Sequence, residues 1–198
     1  MAGLFGRLAG IPLTWARIAW FGLVAPRVSE RGPLVVHQGV VLSERGVLLA
    51  VRGDLRGWEL PGGNAHPGEP EQAAVRREIR EETGVEVEVL AHVGDWVRSG
   101  FRPHVARIWR CRAVGGRPAP GEETLQVAWF DPAALPATLF PWYRDPLAQA
   151  LAGHPSPIER HERLGIRAVL AGMRIDLRMR VCGEPPTARS SGSTPTPS

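Results

Sequence analysis

Residues 63 to 85 read GNAHPGEPEQAAVRREIREETGV, and this stretch decides how the rest of the chain is read. Ala73, Ala74, Val75 and Ile79 give a helix one apolar side to bury. Pro70 fits the first turn, where its missing N–H costs nothing. Gly84 fits the position just past the helix end. At roughly 100° per residue, Glu78, Glu81 and Glu82 fall within about 100° of arc and project to one side. Like charges at i and i+4 destabilise an isolated helix by about 0.2–0.5 kcal/mol. A hard divalent cation with oxygen ligands reverses that penalty. The alternative is a solvated acidic face with Arg76, Arg77 and Arg80 as ion-pair partners. The preceding loop, Trp58-Glu59-Leu60-Pro61-Gly62-Gly63, favours the metal reading. Its two glycines let the backbone turn sharply and present its own carbonyls. The pattern is therefore strand, loop, helix and stop, with an acidic face left at a cleft for a metal and an anionic substrate.

Gly63, five residues, Glu69, seven residues and then Arg77-Glu78-Ile79-Arg80-Glu81-Glu82-Thr83-Gly84-Val85 resembles a complete Nudix box. Every defined position is filled. A weaker resemblance runs from about residue 33 to 152. It takes in paired strands over 35–52 and, downstream, the stretch from Glu123 through Trp129-Phe130-Asp131-Pro132. The resemblance implies a MutT-like hydrolase of α/β (α+β) class, with a mixed β-sheet sandwiched between α-helices. It also implies cleavage of a diphosphate (pyrophosphate) linkage in a nucleoside diphosphate joined to another moiety, with Mg²⁺ or Mn²⁺ as cofactor. The alternative is an inactive nucleotide-binding or regulatory module of the same fold. Such modules usually have eroded box acids, whereas this chain keeps them all.

On that resemblance the expected metal ligands are Glu78 and Glu82, with Glu81 as a third ligand or a nearby base. The Gly63 carbonyl is a further ligand, and Glu69 supports the loop and the metal shell. Arg77 pairs with the box carboxylates and fixes their rotamers. The general base in this family often lies outside the box, on a loop before the late strand. Glu123 sits where it is expected, with Glu122 as the neighbour that could substitute. Arg52 is a candidate phosphate contact. Trp58 is a candidate for stacking on a base, against a packing role. The marker associated with ADP-ribose hydrolases is a proline shortly beyond the box, and Pro103 lies a little too far along. Tyr143 is the chain's one tyrosine, so the mark of dinucleoside polyphosphate hydrolases is missing. No coenzyme A signature is present.

The 198 residues suit one domain with decoration, and 43% hydrophobic content is ordinary for a folded protein. The net charge is +4, and the basic side chains are all arginine. That suits a phosphate-rich substrate and equally a loose association with nucleic acid or an anionic membrane, with no recognition motif for specific nucleic-acid binding. Cys111 and Cys182 form neither a metal spacing nor a disulfide framework, which favours a reducing, cytoplasmic setting. The six histidines are scattered, and His66 in the box loop reads as solvated.

Residues 1–30 form an N-terminal segment in which Leu4, Leu8, Ile11, Trp15 and Ile18 fall at helical spacing. An amphipathic helix packed on the domain or on a partner subunit, as in a homodimer, is one reading. Peripheral contact with a membrane through residues 4–25 is the other. The catalytic domain is expected over 31–153. Strands are expected over Leu34–Leu42, Val47–Val51, Val85–Val97, His104–Arg112 and Leu125–Phe130. A short helical turn is expected at Ala133–Leu135, and a closing helix at Trp142–Leu151. A C-terminal extension over 154–182 reads as helical from Glu159 to Arg180. Residues 183–198 read as a disordered tail, with almost nothing to bury.

Overall fold

A computed structural model of the chain describes residues 15–16, 34–100 and 103–182. The expected N-terminal helix, bar two residues, and the C-terminal tail lie outside that range. The chain runs β1 (Val35–Ser43), β2 (Gly46–Arg52), β3 (Trp58–Glu59), β4 (Gly62–Asn64) and α1 (Glu71–Thr83). It continues through β5 (Val85–Gly100), β6 (His104–Gly116), β7 (Thr124–Phe130), a 3₁₀ turn (Pro141–Tyr143), α2 (Arg144–Ala152), β8 (Ile158–Leu164) and α3 (Ile166–Cys182). No described helix is long and apolar enough to cross a membrane.

The sheet is mixed, in the order β3-β2-β1-β6-β5-β8, with β4 beside β1 and β7 beside β2. β1 pairs parallel with β6, and β5 pairs antiparallel with β6. Alternation along the strands sends neighbouring residues to opposite faces. Val41, Leu48 and Trp109 meet Val75 and Ile79 of α1 on one face. Val40, Leu49 and Ile108 join Trp96, Phe140, Leu147 and Met179 on the other, under α2 and α3. The arrangement is the helix–sheet–helix sandwich of the expected fold. Full burial of each large aliphatic chain contributes about 1.5–3 kcal/mol.

α1 begins after Pro70, whose extended backbone (ψ 138°) directs the chain into the helix. It ends at Gly84, which takes a left-handed φ of 69° and donates its N–H to the Arg80 carbonyl. A side chain there would also be driven into the Arg117 carbonyl. Both ends of the box helix are therefore set by residue type.

The region after Pro157 differs from its expected single helix. Ile158–Leu164 is a strand, paired parallel with β5 from Gly94↔Ile158 to Gly100↔Leu164, and the helix starts only at Ile166. The sequence Ile-Glu-Arg-His-Glu-Arg-Leu is too polar to announce a buried strand. It occupies a sheet edge, where most of its side chains face water. In place of a helical turn at Ala133–Leu135 the chain makes a turn and bend over residues 132–134, tied by the Ala133 N–H to the Asp131 carboxylate at 2.8 Å. α3 is locked down by Asp176, which is fully buried. Asp176 accepts from Arg180 Nε at 2.9 Å, from the Arg56 N–H at 2.8 Å and from the Trp15 indole at 3.1 Å. Arg180 also donates to the Asp54 carbonyl at 3.0 Å.

Candidate active site

The β4–α1 connection folds the box loop over the start of the helix, and Arg77 is its hub. Its guanidinium donates to Glu69 at 2.8 and 2.9 Å, to Glu78 at 2.8 Å, to Glu81 at 3.1 Å and to the Asn64 carbonyl at 3.0 Å. The paired hydrogen bonds to Glu69 hold this arginine strongly in its charged form, against the cost of partial burial. The same bonds, with the His66 N–H, pull the Glu69 carboxyl down to about 2. One side chain thus fixes three acids and closes the loop.

Glu78 packs directly on the loop backbone. A Cβ on Gly63 would come within 2.5 Å of the Glu78 carboxyl, so only glycine allows this approach. Glu82 is turned inward and accepts the Gly62 N–H at 2.8 Å. Its carboxyl is pushed up to about 7. Burial is the main cause, and the negative charges of Glu78 and Glu123 add to it, while the Gly62 N–H and Arg52 oppose.

The late loop is stitched to both sides of this group. The Gly121 N–H donates to the Glu82 carbonyl at 3.1 Å, and the Gly53 N–H to the Glu123 carbonyl at 3.0 Å. Glu122 and Glu123 are exposed there. Arg52, at the end of β2, has its guanidinium 3.1 Å from Asp54, 3.8 Å from Glu59 and 3.7 Å from Glu123. Burial works against its charge, but Glu59 and Asp54 outweigh burial and raise its pKa.

These residues line one cleft of about 760 Å³, which takes in Arg52, Gly63, Arg77, Glu78, Glu81, Glu82, Glu122 and Glu123. Glu69 stands behind it on Arg77. Trp58 does not reach the cleft. It is fully buried, with its ring edge-on to Phe130 at 4.7 Å, so it is a core residue and not a base-stacking one. Its position in β3 sends the next side chain, Glu59, the other way.

A second, more apolar pocket of about 310 Å³ adjoins the cleft and shares Arg52, Gly62, Gly63 and Asn64 with it. Trp142, stacked on Phe140 at 4.7 Å, and Leu34 and Val36 form part of its wall. A hydrogen-bonded chain runs along the wall of this pocket. Gln38 donates to the Tyr143 hydroxyl at 3.1 Å, and that hydroxyl donates to Glu59 at 3.2 Å. Burial pushes Glu59 up to about 8, with Arg52 opposing and Glu82 adding. Gln38 Oε1 is buried and has no hydrogen-bond partner among the described residues. Sequence reading missed Gln38, Glu59 and Tyr143 as site residues. The one local signal was Glu59 itself, an acid inside an otherwise apolar strand.

The oxygen-rich set suits a hard divalent cation. Glu78, Glu81 and Glu82 share one wall of the cleft with Gly63, and Glu82 bears the electrostatic cost of its acidic neighbours. Among the described residues, no group of three or more acid, histidine or cysteine side chains is already arranged to hold a metal ion.

A family model for the Nudix domain matches residues 33–150 of this chain. The chain belongs to the Nudix family. A MutT-like protein of Streptomyces ambofaciens is 36% identical over 105 residues, which is 53% of this chain and 68% of that protein. An RNA pyrophosphohydrolase of Dinoroseobacter shibae is 32% identical over 113 residues, 46% of this chain and 71% of that protein. Among solved structures, a MutT Nudix hydrolase from Burkholderia pseudomallei aligns with a TM-score of 0.55 and 28% identity. That alignment covers 60% of this chain and 98% of the other. The protein is accordingly a Nudix hydrolase, an enzyme that cleaves a diphosphate linkage. The matched range stops before β8 and α3.

Proposed function

We propose that this Nudix hydrolase is metal dependent and acts on a nucleoside diphosphate linked to another moiety, by attack of water on phosphorus. The observation that carries the reading is the joining of an acidic cleft to an apolar pocket across Gly62 and Gly63. A diphosphate needs the first and a nucleoside or its partner moiety suits the second. Glu78, Glu82, Glu81 and the Gly63 carbonyl would hold Mg²⁺ or Mn²⁺, with Glu69 acting through Arg77. The ion, when bound, would neutralise the diphosphate and acidify a water.

The chain's own residues supply the rest. Arg77 keeps the acids in fixed rotamers, so their geometry costs nothing to assemble during reaction. Glu123 is the proposed base, with Glu122 beside it, because its loop is hydrogen-bonded to both β2 and α1. Arg52 stands between cleft and pocket, where a guanidinium can bind phosphate oxygens. An organised set of box acids favours turnover over the inactive binding module.

The test is nucleotide and phosphate release from a panel of ADP-ribose, NADH, nucleotide sugars, dinucleoside polyphosphates and nucleoside triphosphates, with Mg²⁺, Mn²⁺ or EDTA. Cleavage of one class that EDTA abolishes supports the reading. Glu82→Gln should then lower kcat by about 10³-fold or more. Its thermal melt should stay close to that of the parent, because the amide oxygen can still accept the Gly62 N–H. Unchanged turnover in Glu82→Gln would remove Glu82 from the metal site. Metal-dependent binding of panel members without cleavage would move the assignment to the regulatory module.

A further inference from the structure

The two sides of α3 differ in what they touch. Gly172, Asp176, Met179 and Arg180 are buried against the domain. On the opposite side Ile166, Leu170, Leu177 and Val181 are 69%, 51%, 42% and 49% exposed. At roughly 100° per residue they form one stripe within about 60° of arc. Arg167, Arg174 and Arg178 are exposed along one edge of that stripe, and none of them forms an ion pair with another described residue. The helix contains a single acid, Asp176, which is buried and bonded to Arg180, Arg56 and Trp15. The free face of α3 is therefore aliphatic and cationic, with no carboxylate.

Trp15 ties the N-terminal sequence to the same place. Its indole is bonded to Asp176, and its ring borders a groove with Leu170, Met173, Arg174 and Leu177. From Met1 to Ser29 the sequence contains no acid, and its charged side chains are Arg7, Arg17 and Arg27. A second copy seated on the stripe would bring further arginines to the same rim, with no carboxylate on the helix to pair them. Lipid phosphates provide those partners.

We propose that the exposed face of α3, with Trp15 beside it, docks this enzyme on an anionic phospholipid bilayer. The aliphatic stripe enters the boundary between headgroups and acyl chains. The arginines pair with lipid phosphates while their stems lie on the apolar surface. Tryptophan favours that interfacial depth.

Co-sedimentation of the full chain with vesicles tests this, using phosphatidylcholine alone and phosphatidylcholine mixed with phosphatidylglycerol. The expected result is binding to the mixed vesicles that weakens as salt is raised. Arg167→Gln, Arg174→Gln and Arg178→Gln should each lower the partition coefficient about fivefold. Leu170→Ser combined with Leu177→Ser should abolish binding with an unchanged far-ultraviolet spectrum, since both side chains are already half in water. Equal binding to the two vesicle types would overturn the proposal. So would wild-type binding by the double serine variant, including the case in which a chain starting at Ser29 no longer binds. A dimer in size-exclusion chromatography that the serine variant breaks, with no vesicle binding, would make the stripe a self-association surface and would also overturn it.

Discussion

α1 and α3 are both arginine-bearing helices on one domain, yet their arginines do opposite things. In α1, Arg77 is surrounded by Glu69, Glu78 and Glu81, and its positive charge organises an acidic site. In α3, the one acid is spent on Arg180 inside the protein, and Arg167, Arg174 and Arg178 are left facing outward. What an arginine means is set by the carboxylates within its reach. In the box those carboxylates are local in sequence. In α3 they are few, and the partners of the buried pair, at Asp54 and Arg56, lie far away along the chain.

The contrast can be pressed by substitution. The largest stability effect belongs to the buried pair. Asp176→Ala should destabilise the fold by about 3–5 kcal/mol, because it strands Arg180 and the Arg56 N–H, and denaturant unfolding reads this directly. A loss below about 1 kcal/mol would mean that the pair is not what anchors the extension. Arg77→Ala should cost less stability but about 10- to 100-fold in kcat/KM, with rescue by neither high substrate nor raised temperature. An equal loss in Arg77→Ala and Arg76→Ala would show that box charge, and not the hub geometry, is what matters.

A pH series separates the buried acid from the exposed ones. Glu59 holds its proton more tightly folded than unfolded, with a folded value of about 8 against an ordinary 4.5. Its stabilising contribution is therefore complete below about 4.5 and is lost as pH rises toward 8. Glu59→Gln should flatten the slope of stability against pH across that window, and an unchanged slope would place the charge elsewhere. At the small end, Arg174→Gln should change stability by no more than about 0.5 kcal/mol, as for other unpaired surface charges. A larger loss would reveal a partner for Arg174 and weaken the contrast between the helices.

The box was legible because its signals are short range. Pro70, Gly84 and the acid spacing act within a turn or two, and short valine-rich runs marked β1, β2 and β5. β3 and β4 are only two and three residues long, and they exist as strands because β2 and β1 offer them register. β8 is polar, and its pairing with β5 is visible only once the chain has crossed the sheet. The apolar pocket is assembled from Val36, Arg98, Trp142 and Leu164, which share no local pattern. Trp58, offered for stacking on a base against a packing role, takes the packing role, because the core on one face of the sheet closes over its ring.

The parallel pairing of β8 with β5 also bears on how the chain emerges during synthesis. A parallel partner cannot be delivered by a tight hairpin, so the outer edge of β5 waits for residues 158–164. Until they leave the ribosome, the strand edge stays open to other chains, and the core still waits for Met179 of α3. A segment made late is thus the one that seals the sheet, and a message truncated after α2 would leave that edge of β5 exposed and prone to aggregate.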